Sequence, residues 1–342
     1  MEMKMSAVNK TFKHKNVNMM KAAVLIQLGS SPVYVDFPDP IPQNDEQILI
    51  DVEAAALKNI DKLRTKAGNY VSYSELPAIV GSDGVGILED GTRIYAQGIT
   101  GMMAEKALVS KNRYTILPEE IDIAIAAALP NALFGSAMAL QYRAKFKSGD
   151  VVIINGATGV TGQVAVQLAK HFGASKIIVT GRNEKTLQKL KILGADEIIF
   201  LKHDETYIIQ VIKEIHRQTP IDVVIDYLWG RPVELIIQAI QVEGEKINPR
   251  KVKIVTVGDM AGQNIALNSG DLRSADIELI GSGLGTYSPK DLMEFSTKIL
   301  PDMFALAAKG KLKIEIQKEK LENIETAWNN DVDGKRTVIM MK

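Results

Sequence analysis

The chain has 342 residues, 46% hydrophobic and 24% charged, with 41 Lys+Arg balanced by 41 Asp+Glu. This is the composition of a folded globule long enough for two domains, and its zero net charge argues against nucleic acid as the main partner. The absence of cysteine excludes disulfides and thiolate metal sites, and His14, His171, His203 and His216 are not spaced as a chelating pair, so no metal is expected.

Residues 1–19 are polar and scattered with methionine. They lack the apolar core of a secretory signal and read as a disordered arm or an expression remnant. No apolar run approaches 18 residues, so no membrane span is expected. Together with the missing signal and cysteines, this makes a cytoplasmic location the expectation.

The structural start reads as Met20-Lys21-Ala22. Short strands follow at Ala22–Gln27, Gln47–Ala55, Gly84–Leu88, Thr92–Ala96 and Glu105–Val109, punctuated by Pro, Gly, Asp and Asn. Ile123–Ala144 carries a long helical pattern that Pro130 is expected to break.

The stretch Val151-Val152-Ile153-Ile154-Asn155-Gly156-Ala157-Thr158-Gly159-Val160-Thr161-Gly162 combines a buried parallel strand, a glycine turn and a helix start. Such a turn offers backbone N–H groups to a phosphate. It reads A-x-G-x-x-G: Ala157 keeps the turn tight, Gly159 admits a pyrophosphate, and Gly162 lets the helix pack on the strand. Val160, Val164, Leu168 and Phe172 fall four apart on one helical face, with Gly173 as the stop.

A second strand, Lys176–Thr180, runs into Gly181-Arg182-Asn183. A dinucleotide fold places its ribose reader here, and an acid would repel a 2′-phosphate. This chain instead has Gly181 for room, the forked cation Arg182, and Lys185 three residues on, which favours NADP(H) over NAD(H). The alternative is a pair of solvated charges at a helix start.

The rhythm continues with a helix capped by Asn183 and ending at Leu193 before Gly194, then a strand at Glu197–Phe200. A helix at Glu205–Thr219, a strand at Asp222–Tyr227 and a helix at Pro232–Ile240 come next, then strands at Lys253–Val257 and Ile277–Ser282. Alternating strands and helices imply an α/β fold with a Rossmann doubly wound parallel sheet, whose ligands lie beyond the strands' carboxyl ends. Tyr227, Val257, Gly258, Gly281 and Ser282 are therefore candidates to touch the nicotinamide half. Trp229 either walls the substrate pocket or packs in a core or dimer contact. The tail reads as a helix, a strand at Leu312–Ile316, a second helix and a last strand at Thr337–Met341.

From Met20 to Lys342 the chain resembles the medium-chain dehydrogenase/reductases, and among them the zinc-independent quinone oxidoreductase branch. The resemblance is carried by Met20-Lys21-Ala22, Ala54–Asp61 with Arg64 and Gly68, and Gly81-Ser82-Asp83-Gly84-Val85-Gly86. It is carried further by Ala126–Pro130, the Ala157-Gly159-Gly162 turn, Leu193-Gly194-Ala195-Asp196 and Gly334-Lys335-Arg336-Thr337-Val338. Zinc-dependent relatives carry a Cys near Leu57–Asp61, a His-Glu pair where this chain has Ser82-Asp83, and a four-Cys loop. None of these is present here.

The resemblance implies a Rossmann NADP(H)-binding domain at 125–289 and a β-rich GroES-like catalytic domain split around it, at 20–124 and 290–342. It implies hydride transfer from NADPH to a quinone, or to activated alkenes (enals or enones) or other small carbonyls. A non-catalytic NADPH-binding structural or regulatory protein is the third reading. It also implies a homodimer. The family often has an Asn three residues before the aspartate matched by Asp61, where this chain has Lys58 beside Asn59. Lys58, Asn59 and the family-matched Tyr70 are the catalytic candidates.

Overall fold

A computed structural model describes residues 18–68, 72–241 and 250–342. The expected arm at 1–19 lies outside the described residues up to 17, as does Tyr70. The described chain is already ordered at Asn18, whose carbonyl accepts from Asp39 N at 2.9 Å.

The chain divides into two compact units, one up to Pro130 together with Leu300–Lys342, the other Asn131–Ile299. These boundaries lie six to ten residues beyond those expected. The ring of Phe134 meets Tyr287 and Phe295 edge-on, each at 5.3 Å, so the segment around 287–299 belongs with the second unit.

The first unit is built on β hairpins. Strands β1 (Met19–Leu25) and β2 (Val33–Pro38) pair antiparallel. The second of these was not foreseen, because Pro38 and Pro40 make Val33-Tyr34-Val35 read as a turn flank. Strand β3 (Gln47–Ala56) runs into the short helix α1 (Asn59–Arg64), and β4 (Ala78–Ile79) adds to β1. Strands β5 (Asp83–Ile87), β6 (Arg93–Gly98) and β7 (Lys106–Ile116) follow as an antiparallel meander. Because β3 pairs with both β5 and β7, the four strands close on themselves and leave no open edge among them.

The expected break at Pro130 does not occur. Helix α2 (Ile123–Leu133) contains Pro130 and runs directly into a π-helical turn, Phe134–Arg143. The wider turn redistributes the carbonyls that proline and the bulge leave over. Contrary to the expectation from apolar runs, 123–143 is also long and apolar enough to cross a membrane, but 72% of that window is buried within the fold. It is apolar because it is core.

The second unit alternates strand and helix: β8 (Val151–Asn155), α3 (Val160–His171), β9 (Lys176–Gly181), α4 (Glu184–Leu193) and β10 (Glu197–Phe200). Then come α5 (Glu205–Gln218), β11 (Val223–Asp226), α6 (Gly230–Ala239), β12 (Val252–Thr256), α7 (Ser269–Ser274) and β13 (Ile277–Gly281). All pairings are parallel in the order β10-β9-β8-β11-β12-β13. The order reverses between β8 and β11, and that switch opens a crevice at their carboxyl ends. Strand β8 is buried along its whole length, as an unbroken branched-apolar run covered on both faces requires.

After α8 (Pro289–Glu294), the chain returns to the first unit with α9 (Leu300–Ala308), β14 (Ile316–Lys320), α10 (Ile324–Asn329) and β15 (Arg336–Met340). The expected strand at Leu312–Ile316 is displaced. Lys311 N and Leu312 N instead bond to Leu306 O and close the helix end, so pairing begins only at Ile316, opposite Arg336.

Candidate functional site

The site begins where β8 ends. Gly156 turns the chain with φ of 87°, which L residues rarely adopt. Its N–H donates to Thr180 Oγ1 at 3.1 Å, and Ala157 N donates to Thr180 O at 2.9 Å. Thr180 Oγ1 donates to Asn155 Oδ1 at 2.5 Å, and Asn155 Nδ2 donates to Asp226 Oδ1 at 2.7 Å. Thr180, Asn155 and Asp226 are all fully buried. One polar chain thus ties together the ends of β9, β8 and β11, and it sets the glycine turn in place.

The two later glycines of the turn differ in what surrounds them. A Cβ on Gly162 would lie 2.6 Å from Ala157 Cα and 2.7 Å from Gly156 O, so only glycine lets α3 approach β8 here. A Cβ on Gly159 would find only Gly156 O, at 3.8 Å. Gly159 is exposed and sits at the N-cap of α3 with no side-chain cap and no acid in the first turn. Thr158, Val160 and Thr161 flank it, and the first N–H groups of α3 remain available to an anion. These features fit a dinucleotide pyrophosphate.

At the end of β9, Gly181 is pressed against Thr158, whose Cγ2 would lie 2.5 Å from an added Cβ. Arg182 and Lys185 are exposed and form no ion pair with another described residue. Asn183 caps α4 by accepting from Thr186 N at 3.0 Å. Two exposed cations therefore stand just past the end of β9.

Across the switch, Asp226 holds the loop after β11. Its Oδ1 accepts from Leu228 N at 3.0 Å and its Oδ2 from Trp229 N at 3.1 Å. Burial raises the Asp226 carboxyl above its ordinary range, against the lowering pull of these donors and Asn155. The Tyr227 hydroxyl donates to Gly135 O at 3.0 Å, a carbonyl of the π-helical turn. The loop after β12 is laced to this one: Ala261 N donates to Leu228 O at 2.7 Å. Trp229, Thr256, Val257, Gly258, Asp259 and Gln263 line a shallow cavity of about 350 Å³. Past β13, Arg143 Nε donates to Gly281 O at 2.7 Å and Ser282 Oγ bonds the Tyr287 hydroxyl at 2.7 Å. Sequence reasoning missed Asn155, Thr180, Asp226 and Arg143. Asn155 and Asp226 end the two strands that flank the switch, and that position was the available signal.

The catalytic candidates belong to the first unit. Lys58, a candidate with Asn59 to line the substrate site, is buried. Its ammonium pairs with Asp83, donates to Ala56 O at 3.1 Å and lies 3.3 Å from Asp61. Burial works against the Lys58 charge, but Asp61 and Asp83 outweigh it and raise its pKa. Lys58 is thus a buried cation held between two carboxylates. Asn59 is exposed at the first position of α1.

Asp83 also accepts from the Tyr95 hydroxyl, and Asp61 accepts from Ser82 N at 3.1 Å and Ser82 Oγ at 2.9 Å. These carboxylates are committed, the chain has no cysteine, and no group of three potential ligands gathers among the described residues. The donor set does not fit zinc.

Comparison with known proteins identifies relatives. The family described as zinc-binding dehydrogenase matches residues 160–299. A quinone oxidoreductase of Sus scrofa is 31% identical over 224 residues, 61% of this chain and 67% of that protein. The NADPH-dependent alkenal/one oxidoreductase, chloroplastic, of Arabidopsis thaliana is 33% identical over 56% of this chain and 55% of its own length. The crystal structure of a quinone oxidoreductase from Coxiella burnetii superposes with a TM-score of 0.70 at 25% identity, covering 95% of this chain and all of that one.

Proposed function

The chain belongs to the medium-chain dehydrogenase/reductase superfamily, in its quinone oxidoreductase-like branch, and from that premise we propose that it is an NADPH-dependent, metal-independent quinone reductase. It is an oxidoreductase enzyme that uses a nicotinamide cofactor and acts on a small molecule. The observation that carries the finer reading is the pairing of an open Gly159 with the unpaired cations Arg182 and Lys185.

In this reading Ala157, Thr158, Gly159, Val160, Thr161 and Gly162 hold the pyrophosphate, and Gly181 leaves room for the ribose. Arg182 and Lys185 meet the 2′-phosphate, and Tyr227, Val257, Gly258, Gly281 and Ser282 face the nicotinamide half. When bound, NADPH supplies the hydride. The quinone gains two electrons and one hydrogen, and water supplies the second proton. Lys58, buried and paired with Asp61 and Asp83, is assigned no proton transfer to the acceptor. Asn59 and Tyr70 are the residues proposed to meet charge that develops on the acceptor oxygen. The active species is proposed to be a homodimer.

Enals and enones form the second acceptor class, favoured by the likeness to the alkenal/one oxidoreductase. The test is titration with NADPH and NADH of the wild type and Arg182→Ala, followed by turnover with a quinone and an enone. NADPH binding at least tenfold tighter than NADH binding, with the gap closed in the variant, supports the reading. Equal affinity for both nucleotides in the wild type refutes the NADPH assignment. NADPH binding without turnover of either acceptor refutes the reductase.

A further inference from the structure

Trp229 has φ 54° and ψ −159°, a strained backbone region that side-chain-bearing residues avoid. Among the described residues only Lys145 and Trp229 combine positive φ with a side chain. Such a conformation persists only where its surroundings over-determine it. Here they do so from three sides.

Asp226 accepts from Trp229 N at 3.1 Å. Leu228 lies against Gly156, whose added Cβ would meet Leu228 Cγ at 2.8 Å. Gly230 also has positive φ, 57°, and a Cβ there would meet Ala261 C and O at 3.0 Å. The backbone on both sides of Trp229 is therefore fixed, which sets the direction in which its side chain leaves the chain. That indole is half-buried: one side packs on the aliphatic core of the unit, and the residue also lines the cavity above β11 and β12.

A glycine at 229 would relieve the strain. The sequence has instead a large planar ring, at the carboxyl ends of the strands where ligands of this fold lie. We propose that Trp229 is a specificity-determining residue: it is held in a strained conformation so that its indole forms a flat wall of the acceptor pocket and selects planar, conjugated rings over short aliphatic acceptors. The inference rests on the proposed function, since it needs the nicotinamide end to lie over β11 and β12.

A ring-on-ring contact of this kind is sensitive to the shape of the acceptor, whereas a merely structural tryptophan affects all acceptors alike. The experiment compares wild type, Trp229→Gly and Trp229→Phe for NADPH affinity, and for kcat/KM with a bicyclic naphthoquinone and with a short aliphatic enone. Trp229→Gly is expected to lower kcat/KM for the naphthoquinone by about tenfold, mostly through KM. It should leave the enone value and NADPH affinity within about threefold. Trp229→Phe should lie between the two.

Energy transfer supplies a reading independent of turnover. Trp229 and Trp328 are the two tryptophans of the chain, so Trp328→Phe leaves Trp229 as the sole tryptophan donor, and transfer to bound NADPH should be seen in that variant. Equal losses with both acceptors, or no transfer in Trp328→Phe with NADPH bound, overturn the proposal while leaving the reductase intact. Failure of the wild type to bind NADPH overturns both.

Discussion

The Lys58 ammonium and the Asp83 carboxylate form an ion pair inside the β-rich unit, with 2% and 8% of the two residues exposed. Asp61 and Arg336 contribute the remaining charges, so the group is neutral as a whole. Removing one member of such a group leaves a buried charge uncompensated. Lys58→Met is therefore expected to destabilise the protein by about 3 kcal/mol in urea unfolding. Adding Asp83→Asn should recover part of that loss. NADPH affinity, read on the other unit, should be unchanged. A stable Lys58→Met protein that has lost turnover alone would return Lys58 to the chemistry.

The same cluster sets a response to alkali. Burial, and then Asp83, raise Tyr95 well above its ordinary 10.0, and the net shift of Lys58 is upward from 10.5. Both groups prefer their protonated form in the folded state. Their contribution is complete below the unfolded values and is lost as pH climbs through the raised folded values. Stability should therefore fall above about pH 10, and Tyr95→Phe should flatten that fall. Thermal unfolding measured from pH 8 to 11 checks it, and an unchanged slope in the variant would assign the loss elsewhere.

Thr180 carries a different prediction, because it serves the turn and never the phosphate. Thr180→Val keeps the shape but removes the acceptor of Gly156 N and the donor to Asn155. The buried groups left unsatisfied should cost about 1–3 kcal/mol. The turn loosens for any dinucleotide, so NADPH and NADH should weaken by the same factor. Arg182→Ala is expected to weaken NADPH alone. Calorimetric titration with both nucleotides separates the two roles, and a cofactor-selective loss in Thr180→Val would contradict the scaffold assignment.

How far the sequence could be read depended on the range of the interactions. The second unit was legible because its signals are local: Val151–Ile154 is a run only a sheet covered on both faces accommodates, and Gly159 and Gly162 follow at once. Asn183 and Gly194 likewise mark their helix ends by their own conformational preferences. The role of Lys58 was not legible. Its partner Asp83 is 25 positions away, and the burial of its ammonium depends on how β5 pairs with β3 and β6 with β5. The passage of α2 through Pro130 was hidden for a similar reason. Proline forbids one hydrogen bond, but whether a helix breaks or adopts a π turn depends on packing, here the Tyr227 hydroxyl meeting Gly135 O. The strain at Trp229 has no sequence signal, since tryptophan there violates the local preference for glycine.

Gly159 and Gly162 lie three residues apart in one turn, and their surroundings separate fold from function. Gly162→Ala would push a methyl group to 2.7 Å or less from the Ala157 and Gly156 backbone, which cannot yield as a flexible side chain does. A loss of about 1–3 kcal/mol is expected, with binding lost as α3 moves. Gly159 has φ −73°, which alanine adopts freely, and space for a Cβ. Gly159→Ala should therefore fold with a change of about 1 kcal/mol or less, the cost of alanine at an N-cap. Its methyl group would stand on the open face where the pyrophosphate is proposed to lie, so dinucleotide affinity should fall by at least tenfold. Thermal unfolding and nucleotide titration of the pair together decide the matter. A Gly159→Ala protein that binds NADPH as tightly as the wild type would move the phosphates away from this turn, whatever Gly162→Ala does.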